Sequence, residues 1–452
     1  MKIILAGGGK LGATLIRQLT AEGGDVTLID SDPAVLENVQ EQYDVMTLCG
    51  NCAVRDTLVQ AGIGEADLLI AATGTDEVNL LSCLTAHGIN PDLHTIARIR
   101  NPEYSGQIYE MRDIFPLSMS VNPDKQAAKE IERLLKYPGF LKLDTFAKGR
   151  VEIAELRIEE DSKLCGVTLG DLHGIIQCRV LVCAVLRQGE VMTPSGDFEL
   201  REGDRIFVTA PTNVLSQLLS DLGILSRRAR RVMICGGGRS SFYLAEQLLK
   251  SRMTVKIIEQ DRARCEQLSE LLPDAEIINA DATNRLVLES EGLSGYDAVV
   301  SLTGMDELNI VISLYAHANS VPQIITKLGR VDDTRVLDQL SLGSVISPKE
   351  LCCSGIVRYV RAIKNQTGAA AAVHFIADGK AEAIEFRVDK NTLRHDVPLR
   401  DLRLKRGVLI ACITHGSRTE IPDGSSVFSP GDTVVVVTNR NSTILTLNDI
   451  FQ

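Results

Sequence analysis

This sequence carries most of its content twice, and a tandem duplication restricts the fold more tightly than anything else in it. Gly7 and Gly236 stand 229 positions apart, as do Asp30 and Glu259. Thr73-Gly74-Thr75-Asp76-Glu77 returns as Thr303-Gly304-Met305-Asp306-Glu307 at a spacing of 230, and Ala86-His87 returns as Ala316-His317 at the same spacing. Further on, TPSGDFELREGD (193–204) matches IPDGSSVFSPGD (421–432) at 228. Spacings that drift so little come from a copied segment, so whatever one half folds into, the other must fold into as well. The 452 residues also exceed what a single core accommodates.

Each copy divides again. The first alternates short apolar runs with helical patterns: KIILA, LGATLIRQL, DVTLID, LENVQEQY, DVMTL, DLLIAAT, NLLSCLTAH, HTIARI. Continuous apolar strands alternating with helices predict a parallel sheet covered on both faces. Ser31-Asp32-Pro33 and Asn122-Pro123 each offer a capping side chain followed by proline, the signature of a helix start. After Pro138-Gly139 the pattern becomes strands separated by Gly-Asp and Pro-Ser-Gly turns: EIAELRI, LVCAVLR and RIFVTA, repeated as AEAIEFRV, VLIACIT and TVVVVTN. The expected fold class is α/β in tandem duplication, each half a Rossmann-like doubly wound parallel-sheet domain followed by a small α+β domain. The expected boundaries are 1–137, 138–225, 230–365 and 370–452. The basic run Arg227-Arg228-Ala229-Arg230-Arg231 reads as a solvated hinge between halves.

The glycine stretches carry the chemistry. Gly7, Gly9 and Gly12 complete a G-x-G-x-x-G that follows an apolar strand and opens an amphipathic helix. The first glycine allows the tight turn, the second lets backbone approach a pyrophosphate, and the third lets helix and strand pack closely. The helix N-terminus then presents N–H groups and a positive dipole to phosphate. Asp30 ends the second strand, in place to accept hydrogen bonds from a ribose. Its charge would repel a 2′-phosphate, which favours NAD(H), ATP or ADP over NADP. The second copy keeps Gly236 and Gly238 and has Glu259 at the acidic position, but Ser241 stands where the third glycine would be. That exchange alters helix packing more directly than phosphate approach. A glycine-rich turn that merely folds well is the competing account of both stretches.

A chemistry set is harder to find. Of the seven histidines, His87 and His317 sit inside helical runs at repeat-equivalent places that suit packing, while His173, His374, His395 and His415 are not duplicated and form no visible pair. No G-x-S-x-G, H-E-x-x-H or Walker lysine motif occurs. Cys49 and Cys52 have metal-ligand spacing but no second pair, and the eleven cysteines suit reduced thiols. A net charge of −11 argues against a broad nucleic-acid surface. No run of the sequence is long and apolar enough to span a membrane and the start is no secretory signal, so a cytoplasmic location is expected.

AGGGKLG, the Asp30 strand end, ATGTDEVN and above all IARIRNPEY (96–104) resemble the TrkA family of Trk potassium-uptake regulatory proteins, built from tandem RCK, or KTN, NAD-binding domains. The resemblance spans essentially the whole chain. It implies a non-enzymatic regulatory subunit, cytoplasmic and peripheral on the inner face of the cell membrane, assembled as a homotetramer. It implies binding of NAD(H) and ATP/ADP, and control of a membrane-embedded Trk potassium-transporting subunit. By the same resemblance Gly7, Gly8, Gly9, Lys10 and Leu11 would wrap the phosphates, and Asp30 the ribose. Thr73 and Gly74 would lie beside the sugar and phosphates. Arg98 would reach phosphate oxygens, and Arg100 a nucleotide in a neighbouring subunit unless the pair forms surface salt bridges. In the second copy Gly236, Gly237, Gly238, Arg239, Ser240, Glu259, Thr303 and Gly304 take the matching places, with Lys327 offering a point charge where Arg98 offers a fork. The family commonly has Gly-Asp and a small residue after the third strand. Here the first copy has Gly50-Asn51-Cys52, keeping an acceptor without the charge, while the second keeps Asp281 and Ala282. Two other classes remain open: a soluble NAD-dependent oxidoreductase with duplicated halves, and a stand-alone nucleotide sensor.

Overall fold

The computed structural model describes residues 1–110, 117–147, 149–224, 229–329, 340–364, 370–439, 444 and 446–452. They form two compact units, one of Met1–Ala128 with Ser347–Val357 and one of Lys129–Ile346 with Arg358–Gln452.

The first unit is built on a parallel sheet of β1 (Lys2–Ala6), β2 (Asp25–Asp30), β3 (Met46–Cys49), β4 (Leu68–Ala71), β5 (His94–Arg98) and β6 (Met119–Val121), in the order β3-β2-β1-β4-β5-β6. This is the Rossmann order, with its reversal between β1 and β4. β1 and β4 are buried along almost their whole length, which is why they read as unbroken apolar runs. Asp32 caps the helix Pro33–Gln42 by accepting from Ala34 N, and Asn122 Oδ1 accepts from Lys125 N at 3.0 Å at the start of the helix Pro123–Lys136, as the sequence predicts.

Residues 348–357 of the helix Pro348–Lys364, written in the second half of the sequence, belong to this first unit. Glu350 receives Arg17 Nη2 at 3.3 Å and Gln18 Nε2 at 3.1 Å, and the Cys353 thiol points at Leu11 O. The reverse exchange occurs in the second unit. There Gln323 Nε2 donates to Leu134 O at 2.7 Å and Ser251 Oγ to Glu132 Oε1 at 3.0 Å. Neither exchange was legible from periodicity.

In the second unit β7 (Lys142–Phe146), β8 (Val151–Arg157), β9 (Leu181–Arg187), β10 (Glu190–Met192) and β11 (Arg205–Pro211) form an antiparallel sheet ordered β10-β9-β11-β8-β7. β12 (Arg231–Cys235), β13 (Thr254–Glu259), β14 (Glu276–Asn279), β15 (Ala298–Ser301), β16 (Gln323–Lys327) and β17 (Ser344–Ile346) repeat the parallel order strand for strand. β18 (Ala370–Ile376), β19 (Ala381–Arg387), β20 (Val408–His415), β21 (Arg418–Glu420) and β22 (Thr433–Asn439) repeat the antiparallel one. The two antiparallel sheets share a core, in which Phe146, Ile153 and Phe207 meet Ala383, Ala411 and Val435.

Of the basic run expected to be a hinge, Arg227 and Arg228 lie outside the described residues. The side chains of Arg230 and Arg231 are exposed as expected, but the backbone is a strand start rather than a hinge: Ala229 is buried, both Arg230 N and Arg231 N donate to Asp297 Oδ2, and the Arg231 guanidinium lies 4.7 Å over the Tyr296 ring. A strand start needs its backbone donors satisfied, and Asp297 does that here.

Candidate functional site

The first cradle forms where β1 turns into the helix Lys10–Ala21. Gly7 adopts φ +102°, and a Cβ there would strike Ala72 O at 2.8 Å and Thr73 N at 2.9 Å. That closeness joins the glycine loop to the end of β4. A Cβ at Gly12 would lie 2.0 Å from Gly7 O, so helix and strand pack closely because that residue has none. Gly9 is different, since a side chain there would meet nothing within 4 Å. It is the helix N-cap and makes no side-chain cap bond, and the helix ladder begins only at Ala13 N–H to Gly9 O. The N–H groups of Lys10, Leu11 and Gly12 thus precede the ladder, at the positive end of the helix dipole. Gly9 and Lys10 are exposed, whereas the Leu11 side chain is buried, so Leu11 offers a ligand only its backbone.

Asp30 ends β2 half-buried, and its carboxylate first of all holds the loop. Oδ2 accepts from Gly8 N at 2.7 Å and Oδ1 from Asp32 N at 3.0 Å. Each oxygen keeps acceptor capacity for a ribose hydroxyl. Asn51 is exposed, and its Oδ1 accepts from Ala53 N at 3.0 Å. One lone pair of the acceptor kept at this position is therefore engaged by a local turn, and the other remains together with the amide NH₂. The Cys52 side chain lies in the core against Ser82 Oγ at 3.2 Å, and burial pushes its thiol up, which leaves it outside the cradle. Among the described residues no group of three His, Cys, Asp or Glu could hold a metal.

The opposite wall is made by β4 and β5. Thr73 N and Oγ1 both donate to Asn79 Oδ1, at 2.8 and 2.7 Å, while Asn79 Nδ2 donates to Arg98 O at 2.8 Å. Asn79 is 0% exposed. It ties the two strand ends together, and no sequence motif singled it out, although Asn309 stands at the matching place of the repeat. Arg98 Nη2 donates to Thr73 O, and its Nε is buried without a hydrogen-bond partner. Burial, with Arg100 beside it, pulls the Arg98 guanidinium down from its ordinary range. Arg100 Nη2 donates to Gly74 O at 2.8 Å, and Asp76 Oδ2 receives Arg100 N and Asn101 N. The loop contacts thus bring together Gly7, Thr73, Gly74, Arg98 and Arg100.

The second cradle matches the first. Gly236 has φ +104° and abuts Leu302 and Thr303, while Gly238 faces open space. Glu259 Oε2 and Oε1 accept from Gly237 N at 2.5 Å and Asp261 N at 2.8 Å. Asn309 braces Thr303 and Lys327 O as Asn79 does in the first copy, and Lys327 Nζ reaches Leu302 O at 3.3 Å. Gly304 and Arg239 are exposed; Ser240 and Ala282 are buried, so their side chains line no cavity for ligand. Asp281 Oδ1 takes both Thr283 N–H and Thr283 O–H at 2.8 Å, leaving Oδ2 as an outward acceptor. One addition has no counterpart: Arg264 Nε donates to Gly237 O at 2.7 Å, where the first copy has Val35. Ser241 is fully buried and its hydroxyl has no hydrogen-bond partner, so the lost glycine changed packing and left the loop in place.

Comparison with known proteins agrees with this arrangement. The TrkA-N domain matches residues 3–114 and 232–348, and the TrkA-C domain residues 153–223 and 383–451. The chain is 30% identical over 463 residues to the Trk system potassium uptake protein TrkA of Haemophilus influenzae, covering 100% of this chain and 99% of that protein. It is 31% identical over 436 residues to a Trk system potassium uptake protein TrkA homolog of Archaeoglobus fulgidus, covering 96% and 97%. The GsuK RCK domain superposes with a TM-score of 0.62 at 18% identity, over 97% of this chain and 92% of that one. The GsuK channel bound to NAD gives 0.62 at 17%, over 97% and 77%. Two glycine-loop sheets, each followed in sequence by an antiparallel sheet, and full-length similarity at this level lead to one assignment: the chain belongs to the TrkA family, with two TrkA-N and two TrkA-C domains in alternation.

Proposed function

We propose that the chain is the nucleotide-binding regulatory subunit of a Trk-type potassium-uptake system, with one adenine nucleotide, NAD(H), ATP or ADP, in each cradle. The observation that carries this is the duplicated glycine loop whose ligand-side residues, Gly9 and Gly238, face open space at a helix N-terminus. Residues 7–11 and 236–240 hold the phosphates by backbone N–H groups, Asp30 and Glu259 the ribose hydroxyls, and Arg98 and Lys327 the phosphate charge from the far wall, while Arg100 reaches a nucleotide in a neighbouring subunit. Asn51 and Asp281 face the base with a donor and an acceptor respectively. The modules are residues 1–137, 138–225, 230–365 and 370–452, working as a homotetramer on the cytoplasmic face of a membrane-embedded potassium-transporting subunit. No helix among the described residues is long and apolar enough to cross a membrane, so conduction is assigned to that partner. The nucleotide supplies differential binding free energy: it favours whichever arrangement of the subunit it binds better, and the partner feels the shift.

Calorimetry with NAD, NADH, ATP and ADP on the wild type, Gly9→Asp and Gly238→Asp tests the reading. Gly9 has φ −62° and ψ −169°, ordinary for any residue, and aspartate is a favoured N-cap. Each variant should therefore melt no lower than the wild type while losing one site by at least about a hundredfold, as charge meets phosphate without solvent between. If neither change weakens any ligand, the site assignment is wrong. Turnover of NADH by the purified chain would replace the regulatory reading with an oxidoreductase.

A further inference from the structure

The two antiparallel-sheet modules share a fold but not a surface. Residues 388–407, which run from β19 to β20, carry six basic residues, Lys390, Arg394, Arg400, Arg403, Lys405 and Arg406, against three aspartates. The matching stretch of the first half, 158–180 between β8 and β9, has only Lys163 and Arg179 against Glu159, Glu160, Asp161 and Asp171. In a chain of net charge −11 this is a local reversal of sign.

The fold turns the reversal outward. Arg387 pairs with Thr433 at the start of β22, and Val408 pairs with Thr438 near its end, so the segment crosses the sheet along the length of β22, about 20 Å at strand spacing. Val397, Leu399, Leu402 and Leu404 face inward onto the core containing Phe428 and Val434. Arg400 and Arg403 between them are exposed, as are Lys390, Arg394, Lys405 and Arg406 on either side. Among the described residues none of the six forms an ion pair. Two of the three aspartates are engaged locally: Asp389 accepts from Asn391 N and Thr392, and Asp396 from Ser429 and His395. Leu393 stands 57% exposed in the middle of the basic run, its backbone held by Asn448.

We propose that this face docks on an anionic lipid bilayer, with the basic side chains against headgroup phosphates and Leu393 inserted at the interface. The proposal rests on the reading that the chain works at the cytoplasmic side of a membrane. Clusters of four to eight Lys and Arg are the size that binds an anionic leaflet, and screening within roughly 10 Å lets a local patch act despite the chain's overall negative charge. A membrane partner's own cytoplasmic loops carry excess Lys and Arg, so they repel this face while lipid attracts it. Nucleotide sites and partner contacts would then be presented in a fixed orientation to the membrane.

The test is co-sedimentation of the full chain with phosphatidylcholine vesicles, with and without phosphatidylglycerol, at about 0.1 M and about 1 M salt. Binding should require phosphatidylglycerol and vanish at high salt. Replacing Arg400, Arg403, Lys405 and Arg406 by glutamate should weaken it at least about tenfold. Replacing exposed Arg55, Lys129, Arg230 and Arg252 by glutamate, an identical change in net charge, should weaken it far less. Leu393→Ser gives a milder variant should the fourfold change impair folding, and should also reduce binding. Equal binding by the two fourfold variants, no preference for phosphatidylglycerol, or binding of duplex RNA but not vesicles through the same residues each overturns the proposal. Nucleotide calorimetry on the same preparations reads the function separately: vesicle binding can fail with nucleotide sites intact, and the reverse.

Discussion

Gly12 and Ser241 occupy the same place in the two copies, and the structure separates their tolerances. A Cβ at Gly12 would lie 2.0 Å from Gly7 O, a backbone atom that cannot swing aside. Ser241 carries a Cβ, is 0% exposed, and leaves its hydroxyl unpartnered, so the second helix has already accommodated the extra volume. Gly12→Ser should therefore cost about 1–3 kcal/mol of stability, the range for overpacking a tight contact. It should also weaken nucleotide binding at the first cradle, because the displaced atom belongs to the loop itself. Ser241→Gly should change stability by less than about 1 kcal/mol, since relief of a buried unsatisfied hydroxyl offsets the helix cost of glycine. Denaturant unfolding and calorimetry on both variants measure this; equal costs at the two positions would refute the difference in packing. The sequence made the loss of the third glycine visible and pointed to packing as its consequence. What Asn51 does was less visible: its departure from aspartate could be read, but not that Ala53 N occupies one lone pair of its acceptor, because an Asx turn depends on the local backbone path rather than on residue type.

Elements explain which parts of the fold and site could be read ahead. Strands of the parallel sheets appear as unbroken apolar runs because both faces are covered, and Asp32-Pro33 and Asn122-Pro123 mark helix starts because caps act locally. Three-residue strands such as β6, β10, β17 and β21 are too short to establish a period. β7 was hidden for another reason. It carries Lys142 and Asp144 as an ion pair at 3.1 Å, with His374 also on Asp144, so its charges look solvent-facing in sequence. Asn79 was hidden similarly, since a polar residue in a helix reads as surface unless its partners are known. Those partners are the ends of β4 and β5, which makes it the brace between the two sides of the far wall. Asn79→Ala would strand the Thr73 N–H and the Arg98 carbonyl in a buried place, at a cost of about 2–4 kcal/mol for two lost partners. Thr73 and Arg98 would also lose their fixed positions, so nucleotide affinity at the first cradle should fall while the second, braced by Asn309, keeps its own. Thermal unfolding and calorimetry check both; an unchanged melting temperature would show that Asn79 is not a brace.

At the scale of the molecule, the halves of the sequence and the units of the structure do not coincide. The first unit takes residues 347–357 from the second half, and the second unit takes residues 129–224 from the first. The exchange is bonded: Glu350 meets Arg17 and Gln18, Gln323 meets the Leu134 carbonyl, and Ser344 Oγ donates to Phe140 O. Cys352 and Cys353 are fully buried in the first unit, where the helix they belong to covers the flank of the helix that starts at the first cradle. A duplicated sequence invites the view that either half could stand alone, and the exchange argues against it. Cutting between the repeats leaves the first parallel sheet without the helix turn carrying Cys353, and exposes the apolar side of Pro123–Lys136, whose Ile131, Leu134 and Leu135 are fully buried in the whole chain. Three such side chains lost to solvent amount to roughly 5–9 kcal/mol, comparable to the whole stability of a domain. Residues 1–228 and 229–452 expressed separately should each aggregate or melt well below the intact chain, by more than about 10 °C on the scale that relates such energies to melting temperature. Co-expressed, they should associate and recover both the melting temperature and nucleotide binding. A soluble, monomeric 1–228 fragment with the melting temperature of the intact chain would mean that the exchanged helices contribute little, and that the halves fold as independently as their sequences suggest.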